Sequence, residues 1–247
     1  MNQDELYDEI NDFLEHLPSG FSILEEQIDI NIQMLYFDQR EKMQLKSLDQ
    51  EQIALKIGLL HLNETSNDEK ESLLIELAHC DDVTAYRAIE NFRKANPEGH
   101  LYAWSTLAWQ DSRMLLESSL LEEKQVFIST GMGGKGDKLR YFIVNFLNSA
   151  SDYPETIQNI IQKEFEYGLS KAKAELETIT FESKYTLVTA LIPIKTDIRE
   201  LFQNINNECQ QLGIDLSEHF LVTNVKRLNV EEIEEFIQKN LENNYLE

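Results

Sequence analysis

The 247-residue chain predicts an α+β fold in two parts, an all-helical N-terminal half and a C-terminal half with a mainly antiparallel sheet. Three observations carry this. Between Asp49 and Leu121, apolar residues recur at three- and four-residue steps with short polar joints between them, which is the pattern of successive helices. From Lys124 onward, extended β-branched and aromatic runs alternate with helical stretches. Hydrophobic residues make up 42% of the chain, enough to build a core in each of two modest domains. The boundary is predicted near Leu121–Lys124, which gives a helical domain over 1–121 and an α+β domain over 124–247.

In the first half, Leu6, Ile10, Phe13, Leu14 and Leu17 mark one face of a helix over 4–17. Pro18-Ser19-Gly20 ends it. Its other face is Asp4, Glu5, Asp8, Glu9, Asp12 and Glu15. Residues 22–46 fit two patterns: Ile28, Ile30, Ile32 and Met34 alternate as in a strand, while Leu24, Ile28, Ile32 and Leu35 fit a helical stripe. Length and the lack of Gly and Pro favour the helix. Asp49 to Gln52 resembles a capping box before Ile53, Ile57 and Leu60, and Ser66-x-x-Glu69 another before Leu73, Leu74 and Leu77. Asp81-Asp82 opens a helix with Ala85, Ile89 and Phe92. Pro97 suits the first turn of the next, which runs through Leu101, Trp104 and Ala108. Asp111 is placed to cap a last one, with Met114, Leu115 and Leu121.

The helix lengths and short turns, seen best in the segments 82–96 and 97–121, resemble a HEAT-type helical repeat array. No residue signature repeats at a fixed period, so the likeness is architectural, and an ordinary helical bundle fits the same pattern.

In the second half, Gln125–Thr130 and Leu139–Leu147 flank a glycine-rich turn and predict a β-hairpin over 125–147. Asp152 caps a helix with Ile157, Ile160, Ile161, Phe165 and Leu169. Glu177–Phe181 and Tyr185–Ile194 read as two strands. Asp197 opens a helix ending near Gly213, His219–Val225 is a further strand, and Val230–Leu241 a final helix. From Leu139 the order is βαββαβ, over 139–226. That order resembles the ferredoxin-like split βαβ fold, which hosts many unrelated functions.

The formal net charge is −23, from 45 acidic against 22 basic residues. Such a surface repels phosphate backbones and argues against direct nucleic-acid binding. It suits a protein partner with a basic patch, of the kind found in nucleic-acid machinery. Cys80 and Cys209 form no C-x-x-C pair, and the five histidines show no metal spacing, so neither a disulfide framework, nor a metal, nor a cofactor is expected. His79-Cys80-Asp81-Asp82 reads as a helix end, a buried thiol and a cap. Tyr86, Tyr102, Trp104 and Trp109 read as core. The start, Met1-Asn2-Gln3-Asp4-Glu5, lacks the features of a signal peptide, and no apolar run spans a bilayer, so a cytoplasmic protein without membrane contact is expected.

Gly131–Lys138 is the most unusual segment: it holds four of the chain's nine glycines. Glycine lets backbone approach a ligand closely, and successive N–H groups cradle anions. Lys135, Lys138 and Arg140 add local positive charge. The P-loop pattern fails, because Lys135 is followed by Gly136 and then by a strand. Gly131, Gly133, Gly134, Lys135, Lys138 and Arg140 are therefore the candidate partner- or anion-binding residues, on a loop expected at an exposed hairpin tip. No catalytic motif stands out, so the leading expectation is an adaptor or regulatory interaction protein rather than an enzyme. The alternative is a regulator or enzyme that takes a small anionic metabolite at this loop.

Overall fold

A computed structural model of the protein describes residues 21–122, 125–148, 153–182 and 185–244. The helix expected over 4–17 and the cap expected at Asp152 lie outside them. The chain divides into two compact units, Met1–Ser129 and Thr130–Glu247.

The first unit runs β1 (Phe21–Ile23), α1 (Ile30–Lys42), α2 (Gln50–Leu60), α3 (Asn67–Ala78), α4 (Val83–Ala95), α5 (Gly99–Leu121) and β2 (Val126–Ile128). Caps decide where most of these helices begin. Asp49 and Ser66 each complete a capping box, with Gln52 and Glu69, and the Asp82 carboxylate accepts from Thr84 N and Ala85 N. In the ambiguous stretch 22–46 the helical reading holds over Ile30–Lys42, and the Ile28–Met34 alternation is not a strand; the short strand lies earlier, at Phe21–Ile23. The α1 helix starts only where Asp29 accepts from Asn31 N at 2.7 Å. Pro97 lies two residues before α5 rather than in its first turn.

Asp111 caps nothing, which corrects the expected break: α5 runs unbroken through it. Its carboxylate instead accepts from Tyr36 Oη at 3.0 Å and pairs with Arg40 Nε at 2.9 Å. A buried mid-helix carboxylate with both partners does not need to compete for backbone N–H groups. The α5 helix packs against α1, α3 and α4. Trp104 fills the core there, edge-on to Tyr36 at 5.4 Å, with its indole N–H donating to Glu71 O. Trp109, Tyr86 and Tyr102 are only half-buried, and the Arg93 guanidinium lies 4.7 Å over the Trp109 ring.

The second unit runs β3 (Gly134–Lys135), β4 (Lys138–Leu147), α6 (Glu155–Lys171), β5 (Glu175–Glu182), β6 (Tyr185–Pro193), α7 (Ile198–Gln211), β7 (Leu216–Thr223) and α8 (Val230–Asn244). The strand order is β7-β4-β6-β5, antiparallel throughout, with β3 also on β4. The β4-α6-β5 unit is split by β6, and β6-α7-β7 by β4, which is the split βαβ arrangement of the ferredoxin-like fold. One sheet face, with Ile143, Val188, Ala190 and Ile192, packs against Ile161, Phe165, Phe202 and Ile205 of α6 and α7. The other, with Phe142, Val144, Tyr185 and Leu187, is covered by Met132 and by Ile233 of α8. Apolar layers on both faces explain why β6 reads as one continuous apolar run.

The expected hairpin over 125–147 does not form. Val126–Ile128 pairs in parallel with Phe21–Ile23. The β4 strand already has β6 on one edge and β7 with β3 on the other, so it has no edge left for β2. The tight turn lies instead at Gly136-Asp137, between β3 and β4, where Gly136 takes φ +61°.

Candidate functional site

The glycine-rich segment is built into the second unit rather than projecting from it. Gly131, Met132, Gly133 and Gly134 are all buried. A Cβ on Gly131 would lie 1.8 Å from the Val225 carbonyl oxygen, so the chain passes there only because that residue has no side chain. Gly133 takes φ +66° and its N–H donates to Thr130 O. Met132 N–H donates to Asn224 O at 3.0 Å, and Arg140 N–H to Gly133 O at 2.9 Å. These N–H groups are spent on the fold and do not form an anion cradle. The expectation of an exposed tip is corrected: Lys135, Gly136 and Asp137 alone in Gly131–Lys138 are exposed.

Two of the three cations, Lys138 and Arg140, have partners too. Arg140 donates from Nε and Nη2 to both oxygens of Glu177, at 2.6 and 2.9 Å, and from Nη1 to Met132 O at 2.8 Å. Lys138 Nζ sits 2.5 Å from Glu175 Oε1. Lys138 and Arg140 lie on β4 and the two carboxylates on β5, so both pairs reach across β6. A bulge between Leu176 and Thr178 marks the place of Glu177. The Lys138 hydrogen bond, and then its charge, hold the Glu175 carboxyl below the usual range, with a smaller contribution from Lys135. To take an anion, Lys138 and Arg140 would have to leave these carboxylates. The structure brings five of the six candidate residues into one internally bonded corner and leaves Lys135 at its surface. Glu175 and Glu177 were not distinguishable in the sequence from the chain's other carboxylates.

A second feature lies between α6 and α7. Gly168 lets the helices close together, since a Cβ there would lie 2.4 Å from Ile205 Cγ1. Beside this contact is a groove of about 500 Å³, with Glu164, Asp197, Glu200 and Glu208 around it. Tyr167 stands at its edge, 57% exposed, with Lys171 Nζ 4.3 Å over its ring. Behind the groove Cys209 is buried, and burial, with the charges of Glu164 and Glu208, pushes its thiol up to about 12. A thiol so protonated is no nucleophile at neutral pH. Cys80 is likewise buried, its S–H directed at Glu76 O, with Asp82 capping α4 as the sequence suggested. The polar faces of both helices are visible in the sequence. That they face each other across a groove is a tertiary fact.

Among the described residues, no cluster of three or more His, Cys, Asp or Glu could hold a metal ion, and no helix is long and apolar enough to cross a membrane. Neither a protein-family model nor a curated protein matches the chain.

Proposed function

We propose that the protein is an adaptor or regulatory interaction module that works in the cytoplasm and holds a protein partner through that partner's basic patch. The observation that carries the reading is the α6–α7 groove. Four carboxylates surround it, Lys171 is its one lysine or arginine, and an aromatic side chain stands at its edge. A tyrosine among carboxylates offers apolar contact and cation–π attraction to an incoming Lys or Arg. The whole chain's net charge of −23 adds long-range attraction that speeds encounter with such a partner. Basic patches of this kind occur on proteins of nucleic-acid machinery, and an acidic protein covering one would compete with nucleic acid.

The test is recovery of partners from native lysate by the wild type and by a Glu164→Lys, Glu200→Lys, Glu208→Lys variant. A partner held by the wild type at low salt, released as salt rises, and missed by the variant supports the reading. Equal recovery by both removes the groove from it.

A further inference from the structure

Helix α2 carries two apolar faces, and the described residues cover one. Ile53 and Leu60 are buried in the core of the first unit, with Ile57 packed against them. On the opposite side, Leu55 is 64% and Leu59 38% exposed, and Leu62, just past the C-cap, 47%. Leu55 and Leu59, four residues apart, share one face of the helix, and Leu62 follows in the turn that ends it, its N–H donating to Leu59 O at 3.1 Å. A helix that is apolar all round is normally buried all round. Beside the stripe, Ala54 and Gly58 are exposed as well, and a Cβ added to Gly58 would meet nothing within 4 Å. Among the described residues no atom lies close enough to require glycine at that position, where it costs the helix stability relative to alanine. It does leave room for a second backbone to come close.

Leu59 also forms one wall of a groove of about 430 Å³ between α2 and α3, with Leu73 within it and Asp68, Glu69 and Glu76 at its rim. Glu51 and Glu64 are exposed at the two ends of the stripe. The one lysine of α2, Lys56, is bonded to Glu76 at 2.6 Å. An apolar strip framed by unbalanced carboxylates selects an occupant. A second copy of this chain would set the same carboxylates against each other. Residues 4–17 carry an apolar stripe but six carboxylates with it, and meet the same repulsion.

We infer that the α2 stripe and the α2–α3 groove are the docking surface for an amphipathic helix of a partner, with leucine-type residues on one face and Lys or Arg on both flanks. The inference rests on the basic-partner reading and names a second surface for it. The partner's apolar face covers Leu55, Leu59 and Leu62, its backbone passes at Gly58, and its flanking cations meet Glu51, Glu64 and Asp68.

The test uses the full chain and two synthetic helical peptides of roughly 20 residues, long enough to hold a helix. Both carry the same leucine stripe, one with lysine flanks and one with glutamate flanks. The expected result is saturable binding of the lysine peptide alone, weakened about tenfold or more by Leu55→Gln with Leu59→Gln. Gly58→Ala, which raises the melting temperature, weakens binding severalfold and guards against a loss caused by unfolding. No binding of the lysine peptide overturns the inference. So does equal binding of both peptides. Binding that survives the α2 variants but is lost in Glu200→Lys with Glu208→Lys also overturns it, while leaving the basic-partner reading standing. A dimer that the leucine variants dissociate assigns the stripe to a second copy, and tighter peptide binding after Ile10→Gln with Phe13→Gln assigns it to the chain's own N-terminal segment. Either outcome overturns the inference.

Discussion

The glycine-rich segment and helix α2 have the opposite surroundings from those their compositions suggest. Glycines and cations imply an exposed, adaptable loop, yet Gly131 is wedged against Val225, and Lys138 and Arg140 are bonded to Glu175 and Glu177. Leucines and isoleucines imply a covered helix, yet one leucine stripe of α2 faces outward. Composition reports what a segment tolerates. It does not report what lies beside it. A buried glycine is required where two backbones meet, and an exposed leucine stripe marks a surface that the described residues leave uncovered.

Four substitutions sharpen this contrast, taken from the largest expected effect to the smallest. Gly131→Ala forces a Cβ into the Val225 carbonyl and should destabilise the protein by about 2–3 kcal/mol in urea unfolding. A neutral result would mean the segment yields freely, as an exposed loop does. Arg140→Ala removes a two-pronged ion pair, of which the arginine side is mostly covered, and a bond to Met132 O, at a cost of about 1–2 kcal/mol. A double-mutant cycle with Glu177→Ala separates the pair from the packing of the arginine stem. On α2 the sign reverses: Gly58→Ala should stabilise the free protein by about 0.5–1 kcal/mol, because the added methyl meets open space and alanine is the better helix former. Destabilisation there would mean that something already covers the stripe.

The smallest effect is a pH dependence at Glu175. Lys138 depresses its folded-state pKa, so the folded state holds fewer protons than the unfolded chain in the window between the two values. Its contribution is present above the unfolded carboxylate pKa and is lost as pH falls through the depressed folded one. Thermal melts of wild type and Lys138→Ala should therefore differ by a constant above that window and converge below it. Melts that stay parallel through acid pH would show that the pair is not formed in solution.

Much of the fold was legible because helix starts are local. Asp49, Ser66, Asp82 and Asp197 act on N–H groups within three residues of themselves, and each caps as its spacing implies. The βαββαβ order was legible for the same reason, since each element announces its own period. Strand partners were not. The separation of Val126–Ile128 from β4 depends on both edges of β4 being claimed by strands that lie far along the chain. Asp111 misled for a related reason: a cap and a buried ion-pair partner are the same residue type, and Tyr36 and Arg40 are distant in sequence. The candidate loop was found by composition, but its burial, its carboxylate partners and the exposed side of α2 all depend on neighbours from other elements.

The most direct measurement is amide hydrogen exchange on the full chain, with and without the lysine-flanked leucine peptide. Added protection is expected across residues 50–78, covering α2 and α3, with Met132, Gly133 and Arg140 already protected in the free protein and unchanged on binding. Fast exchange at Met132 and Gly133 in the free protein, with protection appearing there and not on α2 when the peptide binds, would contradict this expectation.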